Sequence, residues 1–154
     1  MISEIESEIL ITAMKFVQMD DEFVLDTSAN ISSKPNKILS WFDVYSKNSM
    51  ISEQIHQDWV QKNLEPISLT PLLNRINVKF LPYDKFSINM NMKDQAWSVF
   101  FTITRPGISS DRRNALLKVT ANCLSGPPNY ASLLYLERSV HFWNVKSTHG
   151  LYNQ

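Results

Sequence analysis

The sequence predicts an α+β domain in which N-terminal helices pack on a C-terminal antiparallel β-meander of about five strands. Apolar residues recur at helical spacing near the N-terminus, whereas from residue 86 onward they alternate with polar residues. Short connections join the predicted strands, which favours antiparallel order. The chain has 154 residues, 44% of them apolar, which suits one core. We therefore expect a single domain over 1–154.

The first helix is predicted from its start and from its apolar stripe. Ser3 and Glu6 have the spacing of a capping box, in which each side chain satisfies a backbone donor near the helix start. We expect the helix to end near Gln18. Its apolar side is formed by Ile2, Ile5, Ile9, Ala13 and Phe16. Its acids are expected to be solvated: Glu4, Glu6 and Glu8.

A second helix is predicted by Ile51, Ile55 and Trp59, which are four residues apart, and it ends at Asn63 and Pro66. Before it, the apolar run 23–25 is compatible with a short strand. The stretch 38–45 fits a buried strand or a buried helical turn equally well, because periodicity does not separate the two in so short a run.

Alternation predicts the strands, which cover 86–92, 97–104, 117–123, 130–138 and 142–147. Both faces of this C-terminal sheet carry apolar side chains. We expect one face to receive the helices and the other to meet the middle segment, a second copy of the chain or a partner.

Composition excludes several classes of protein. Fifteen basic and fifteen acidic residues give no net charge, which argues against binding nucleic acid by bulk positive charge. A single cysteine excludes an intramolecular disulfide. No apolar run approaches the ~20 residues of a membrane-spanning helix, and the acidic N-terminus is unlike a signal peptide. We therefore expect a cytoplasmic protein that binds neither membrane nor nucleic acid.

Catalytic chemistry finds little support in the sequence. Cys123 with His141 or His149 is the one nucleophile–base combination, but Cys123 is in phase with the apolar positions of its strand, where a thiol behaves as a small hydrophobe. The three histidines lack metal-ligand spacing. We predict no catalytic residue, no metal site and no cofactor.

A cluster of basic residues surrounds the turn between two predicted strands. Arg105, Arg112 and Arg113 are grouped there with Lys118 and are suited to phosphate or to an acidic partner. Asp111 lies inside the cluster, and neutralisation within the turn is the interpretation we favour, because exposed ion pairs are common and weak.

Two aromatic residues fall on otherwise polar sides of their strands, namely Phe100 and Phe142. Burial within one core explains most such positions, and an interaction surface is the alternative that would carry a function. The predicted binding residues are therefore Arg105, Arg112, Arg113, Phe100 and Phe142.

Several motifs of the C-terminal half form a pattern: TRPG at 104–107, DRRNAL at 111–116, Cys123, LYLER at 134–138 and WNV at 143–145. The pattern resembles a family of small bacterial proteins of unknown function, and WVQKNLEP at 59–66 is similar to the polar helix upstream in that family. The family's second cysteine and glycine-rich loop are replaced here by LSGPP at 124–128, and its turn before the tryptophan by SVHF at 139–142. The resemblance implies the fold and no activity.

Our leading prediction is a non-catalytic interaction module that binds a protein partner or forms a homodimer. An immunity or inhibitor protein is one concrete form. The alternative is a small-ligand-binding or enzymatic domain with a pocket between the helices and a curved sheet. Its wall would be formed by Trp97, Phe101, Tyr135 and Trp143.

Overall fold

The computed structural model describes residues 2–29, 39–82, 99–123 and 130–151. Three α-helices lie in these ranges: α1 (Glu4–Phe16), α2 (Trp41–Lys47) and α3 (Glu53–Lys62). A short 3₁₀ turn covers Thr70–Leu72. The strands are β1 (Phe23–Leu25), β2 (Lys79–Leu81), β3 (Val99–Ile103), β4 (Gly107–Ile108), β5 (Asn114–Cys123), β6 (Tyr130–Arg138) and β7 (Trp143–Leu151).

A serine caps the N-terminus of each helix, and its hydroxyl accepts a backbone N–H three residues later. These serines are Ser3, Ser40 and Ser52. Each bond satisfies one donor that the first turn leaves unpaired. The predicted first helix is confirmed but ends at Phe16, and Gln18 just beyond it has a left-handed φ of 62°. Of the ambiguous stretch 38–45, residues 41–45 belong to helix α2, and residue 38 lies outside the described residues.

The strands form one mixed sheet in the order β2-β1-β3-β5-β6-β7, with β4 paired to β5. The pairs β3–β5, β5–β6 and β6–β7 are antiparallel, as predicted. The α+β class is thus confirmed, but the arrangement differs from a plain meander. Strand β1 lies between β2 and β3 and pairs with both in parallel. The strand predicted over 86–92 lies outside the described residues.

Helices cover both faces of the sheet. On one face α1 packs against residues of β5, β6 and β7: Ala115, Leu117, Val119, Leu134, Leu136 and Trp143. On the other face α2 and α3 pack against Leu116, Ala131, Leu133, Tyr135 and Leu151. We refer to the α1 face and the α2–α3 face. The expectation that one face alone receives the helices is corrected, so apolar residues on both faces do not by themselves indicate a partner.

The TRPG connection between β3 and β4 lies directly against α3. A Cβ atom on Gly107 would overlap the Ile55 carbonyl oxygen and lie 2.5 Å from Trp59 Cβ. Only glycine permits so close an approach. Next to it, the Trp59 indole N–H donates to Thr104 Oγ1 over 3.0 Å in the buried interior. This contact fixes the position of the loops at one end of the sheet.

Candidate binding surface

Two turns lie side by side at one end of the sheet. The first, 109–113, joins β4 to β5, and the second, 139–142, joins β6 to β7. They are adjacent because the Arg138 N–H donates to the Arg113 carbonyl over 2.8 Å, and Arg138 pairs in turn with Trp143. We call the surface formed here the arginine end and define it by Arg112, Arg113, Arg138, Val140 and Phe142.

The side chains of the arginine end are exposed. All three arginines are open to solvent, and Val140 and Phe142 are 84% and 62% exposed. Arginine and aromatic residues are enriched where proteins bind one another, and arginine favours planar carboxylates because its guanidinium donates two parallel hydrogen bonds.

Asp111 forms no ion pair with these arginines among the described residues, although, besides the Ser109 hydroxyl, the charge of Arg113 contributes to lowering the pKa of Asp111. Its carboxylate accepts the Ser109 hydroxyl over 2.6 Å and the backbone N–H of Arg113 over 3.1 Å. These bonds, the Ser109 hydroxyl first, lower the pKa of Asp111 below its usual value of 3.8. Of the ion pairs within the described ranges, none includes Arg112, Arg113 or Arg138. The carboxylate therefore holds the turn together and attracts Arg113 without forming a direct ion pair with any of the three guanidinium groups.

The first turn places Arg112 in an unusual backbone conformation, with a φ of 61°. An L-residue in the left-handed region costs about 1–2 kcal/mol, and glycine avoids the cost. The conformation is enforced by Ser109, whose carbonyl accepts the Arg112 N–H over 2.9 Å. The Ser109 hydroxyl also accepts the N–H groups of Arg113 and Asn114.

A groove with a volume of about 520 Å³ lies beside the arginine end. Its walls are the start of α1, one side of α3 and the chain from Ile108 to Arg112. Five charged residues line it: Glu6, Asp58, Lys62, Arg105 and Arg112.

Glu6 forms the centre of an ion-pair network in this groove. Its Oε1 lies 2.8 Å from Arg105 Nη2 and 3.5 Å from Lys62 Nζ, and the residue is only 3% exposed. Lys62 also lies 2.9 Å from Asp58 Oδ2, which accepts the Ile108 N–H. Glu6 Oε2 and Arg105 Nε are buried and have no hydrogen-bond partner among the described residues. The network links α1, α3 and the β3–β4 connection.

One of the two hydrogen bonds of the predicted capping box is present, and the other is replaced. The Glu6 N–H donates to Ser3 Oγ over 3.2 Å, as predicted. The Glu6 carboxylate bonds Arg105 rather than the start of its own helix. The expectation that Glu6 is solvated was wrong, because the TRPG connection covers it.

The predicted binding residues separate into three environments. Arg112, Arg113 and Phe142 belong to the arginine end. Arg105 has an 18% exposed side chain bound to Glu6, so it is part of the groove rather than of the outer surface. Phe100 is 5% exposed on the α2–α3 side of β3, and we omit it from the candidate surface.

Sequence reasoning missed Arg138 and Val140. Nothing in the local pattern shows that the end of β6 lies beside the turn before β5, since that depends on the register of the pair.

A second exposed apolar surface was also missed: Phe42, Tyr45 and Met50 on and just after α2. We call it the α2 surface.

The structure does not bring the candidate nucleophile and bases together. Cys123 is separated from Leu117 and Val119 by an even number of residues along β5, so it lies on the α1 face with them. His149 pairs with Leu133 and therefore lies on the opposite face. His141 is exposed in the second turn. Across the four described ranges, no group of three or more His, Cys, Asp or Glu residues has the geometry to hold a metal ion.

The described residues that were predicted to form one pocket wall lie on opposite faces of the sheet. Phe101 and Trp143 pack on the α1 face and Tyr135 on the α2–α3 face, while Trp97 lies outside the described residues. These side chains therefore do not line one pocket.

Burial, together with the charge of nearby Glu137, raises the pKa of Tyr135 to about 12.

The chain matches no family model, no curated protein and no solved structure. The resemblance of its C-terminal half to the small bacterial family therefore stays a prediction. None of the helices described here is long and apolar enough to cross a membrane.

Proposed function

We propose that the protein is a binding module whose arginine end docks on an acidic surface of a protein partner. The observation that supports this most is the group of three exposed arginines, outside any ion pair within the described ranges, beside exposed Val140 and Phe142. Guanidinium groups supply charge-assisted hydrogen bonds to carboxylates. The two apolar side chains supply area that leaves water on binding.

This role requires no reacting group at the surface, and an immunity or inhibitor protein that covers its target is one form of it. The absence of net charge fits a local contact better than nucleic-acid binding, because the latter depends on many phosphate contacts along one basic surface. Hydrogen bonds within and between the two turns hold their geometry, which limits the entropy lost on binding.

The test is affinity capture from the native cell with three forms of the protein. The first is the unmodified chain. The second carries Arg112→Glu and Arg113→Glu at the arginine end. The third carries Lys15→Glu and Lys79→Glu, which make the same change in net charge at exposed positions elsewhere.

We expect a stoichiometric partner with an acidic surface to be captured by the unmodified chain and by the lysine variant. The arginine variant should lose it, and added salt should weaken the complex. Equal capture by both variants would contradict the proposal. Recovery of a second copy of the chain alone, independent of the arginines, would contradict it as well.

A further inference from the structure

We infer that the groove beside the arginine end receives the carboxylate of an Asp or Glu side chain of the partner, and that Arg112 binds it. This inference rests on the proposed function and adds a defined subsite to it. It names the contact residue and the chemical group it contacts.

The distribution of charge in the groove singles out Arg112. Lys62 and Arg105 both pair with Glu6, and Lys62 pairs with Asp58 as well. Both carboxylates of the groove, those of Glu6 and Asp58, are thus already paired with Lys62 or Arg105. Arg112 lines the same groove and takes part in none of the ion pairs between described residues. An incoming carboxylate would complete its hydrogen bonding.

The backbone of Arg112 supports the same assignment. The turn would form more easily with glycine at this position, since φ is 61°. Its shape is held by bonds to Ser109 and Asp111 rather than by the side chain of residue 112. The arginine side chain thus adds nothing to the turn itself. Non-glycine residues with strained backbone angles are found at many ligand-binding sites, although Gln18 and Asp21 share this conformation outside the groove.

The groove has the size and polarity for an acidic side chain. Its volume is about 520 Å³, and it is open to solvent, so a side chain of a partner can enter it from outside. Ser110 lines the groove, and the Ser110 backbone N–H donates to Gln54 Oε1 over 3.1 Å. This bond fixes the first turn against α3, so the backbone that positions Arg112 has its conformation before a partner binds.

The probe is the peptide acetyl-Glu-Glu-Glu-Glu-amide, titrated into isotope-labelled full-length protein and followed by NMR. The glutamine analogue is the control for charge, and succinate is the control for a free small dicarboxylate. The same titration is repeated with Arg112→Gly, which suits the backbone at this position, and with Arg113→Gln, which removes a neighbouring charge outside the groove.

We expect saturable shifts in the amides of the first turn, of the start of α1 and of Gln54 with the glutamate peptide, and none with the glutamine peptide. Arg112→Gly should weaken binding by about tenfold or more, as for one charge-assisted contact, without lowering the thermal midpoint. Arg113→Gln should weaken it only about two- to threefold, as for a screened surface charge.

Shifts confined to Arg113, Arg138 and Phe142 would overturn the subsite and leave the proposed function standing. Succinate that binds as tightly as the peptide would overturn the assignment to a protein side chain. Absence of saturable binding by the peptide would also overturn the inference, whereas the proposed function is decided separately by capture of the partner.

Discussion

Asn63 and Arg105 bond each other in both directions. The Asn63 side-chain amide donates to the Arg105 carbonyl over 2.9 Å, and the Arg105 N–H donates to Asn63 Oδ1 over 2.8 Å. Asn63 also donates to the Trp59 carbonyl over 2.8 Å. One fully buried side chain thus closes the C-terminus of α3 and holds the β3–β4 connection. The segments WVQKNLEP at 59–66 and TRPG at 104–107 meet at this contact.

Replacement of Asn63 by alanine should destabilise the fold strongly. It would leave the backbone N–H and carbonyl of Arg105 unpaired in the interior, at about 2–4 kcal/mol together. Urea denaturation measures the change in the free energy of unfolding. Asn74→Ala is the matched control, because Asn74 is exposed and should change stability by less than about 0.5 kcal/mol. Equal effects of the two variants would contradict the role of Asn63.

Gly107→Ala should displace α3. The added methyl group would lie 2.5 Å from Trp59 Cβ and overlap the Ile55 carbonyl. Overpacking of this kind costs about 1–3 kcal/mol. We expect a lower thermal midpoint and a changed tryptophan fluorescence. A variant with unchanged midpoint and spectrum would show that α3 does not rest on this glycine.

Glu6→Gln should destabilise the protein because it breaks a mostly buried charge network. Arg105 would lose its partner at 2.8 Å while its side chain remains largely enclosed. Loss of one partner of a buried pair costs about 3–5 kcal/mol, and since Arg105 and Lys62 keep some exposure we expect about 2 kcal/mol. Glu8→Gln, on the same helix, is the control. If thermal unfolding of both variants gave the same small change, the network would contribute nothing to stability.

The first turn should open in acid. The pKa of Asp111 is lowered by the Ser109 hydroxyl and the Arg113 N–H, so the unfolded turn takes up the proton first. The contribution of Asp111 is therefore complete above its usual pKa of 3.8 and is lost as the pH falls through the lower folded value. An NMR titration of the Arg113 amide should show a midpoint below 3.8 that disappears in Asp111→Asn. A midpoint above 3.8 would contradict the hydrogen bonds of this turn.

Sequence reasoning predicted the features that depend on local pattern. Alternation identified the antiparallel strands β3, β5, β6 and β7, and helical spacing identified α1 and α3. The apolar run 23–25 is compatible with a short strand and forms β1, but three apolar residues do not show that the strand pairs in parallel with β2 and β3. The division of helices between the two faces was missed for the same reason.

The candidate site shows the same limit. Arg112, Arg113 and Phe142 were predicted from charge clustering and from broken alternation, both of which are local. The pairing of Arg105 with Glu6 joins residues that are 99 positions apart, and no local pattern indicates it. Arg138 joins the arginine end through strand register alone. Phe100, which also breaks the alternation, is buried, since alternation does not show what covers a face.

Hydrogen exchange of the protein, free and bound to the partner captured from the cell, decides whether the arginine end is the interface. We expect slower exchange on binding at 109–113 and 139–142, the two turns of the arginine end, and unchanged exchange at the α2 surface. Slower exchange confined to the α2 surface, with both turns unaffected, would contradict this expectation and would move the interface to Phe42, Tyr45 and Met50.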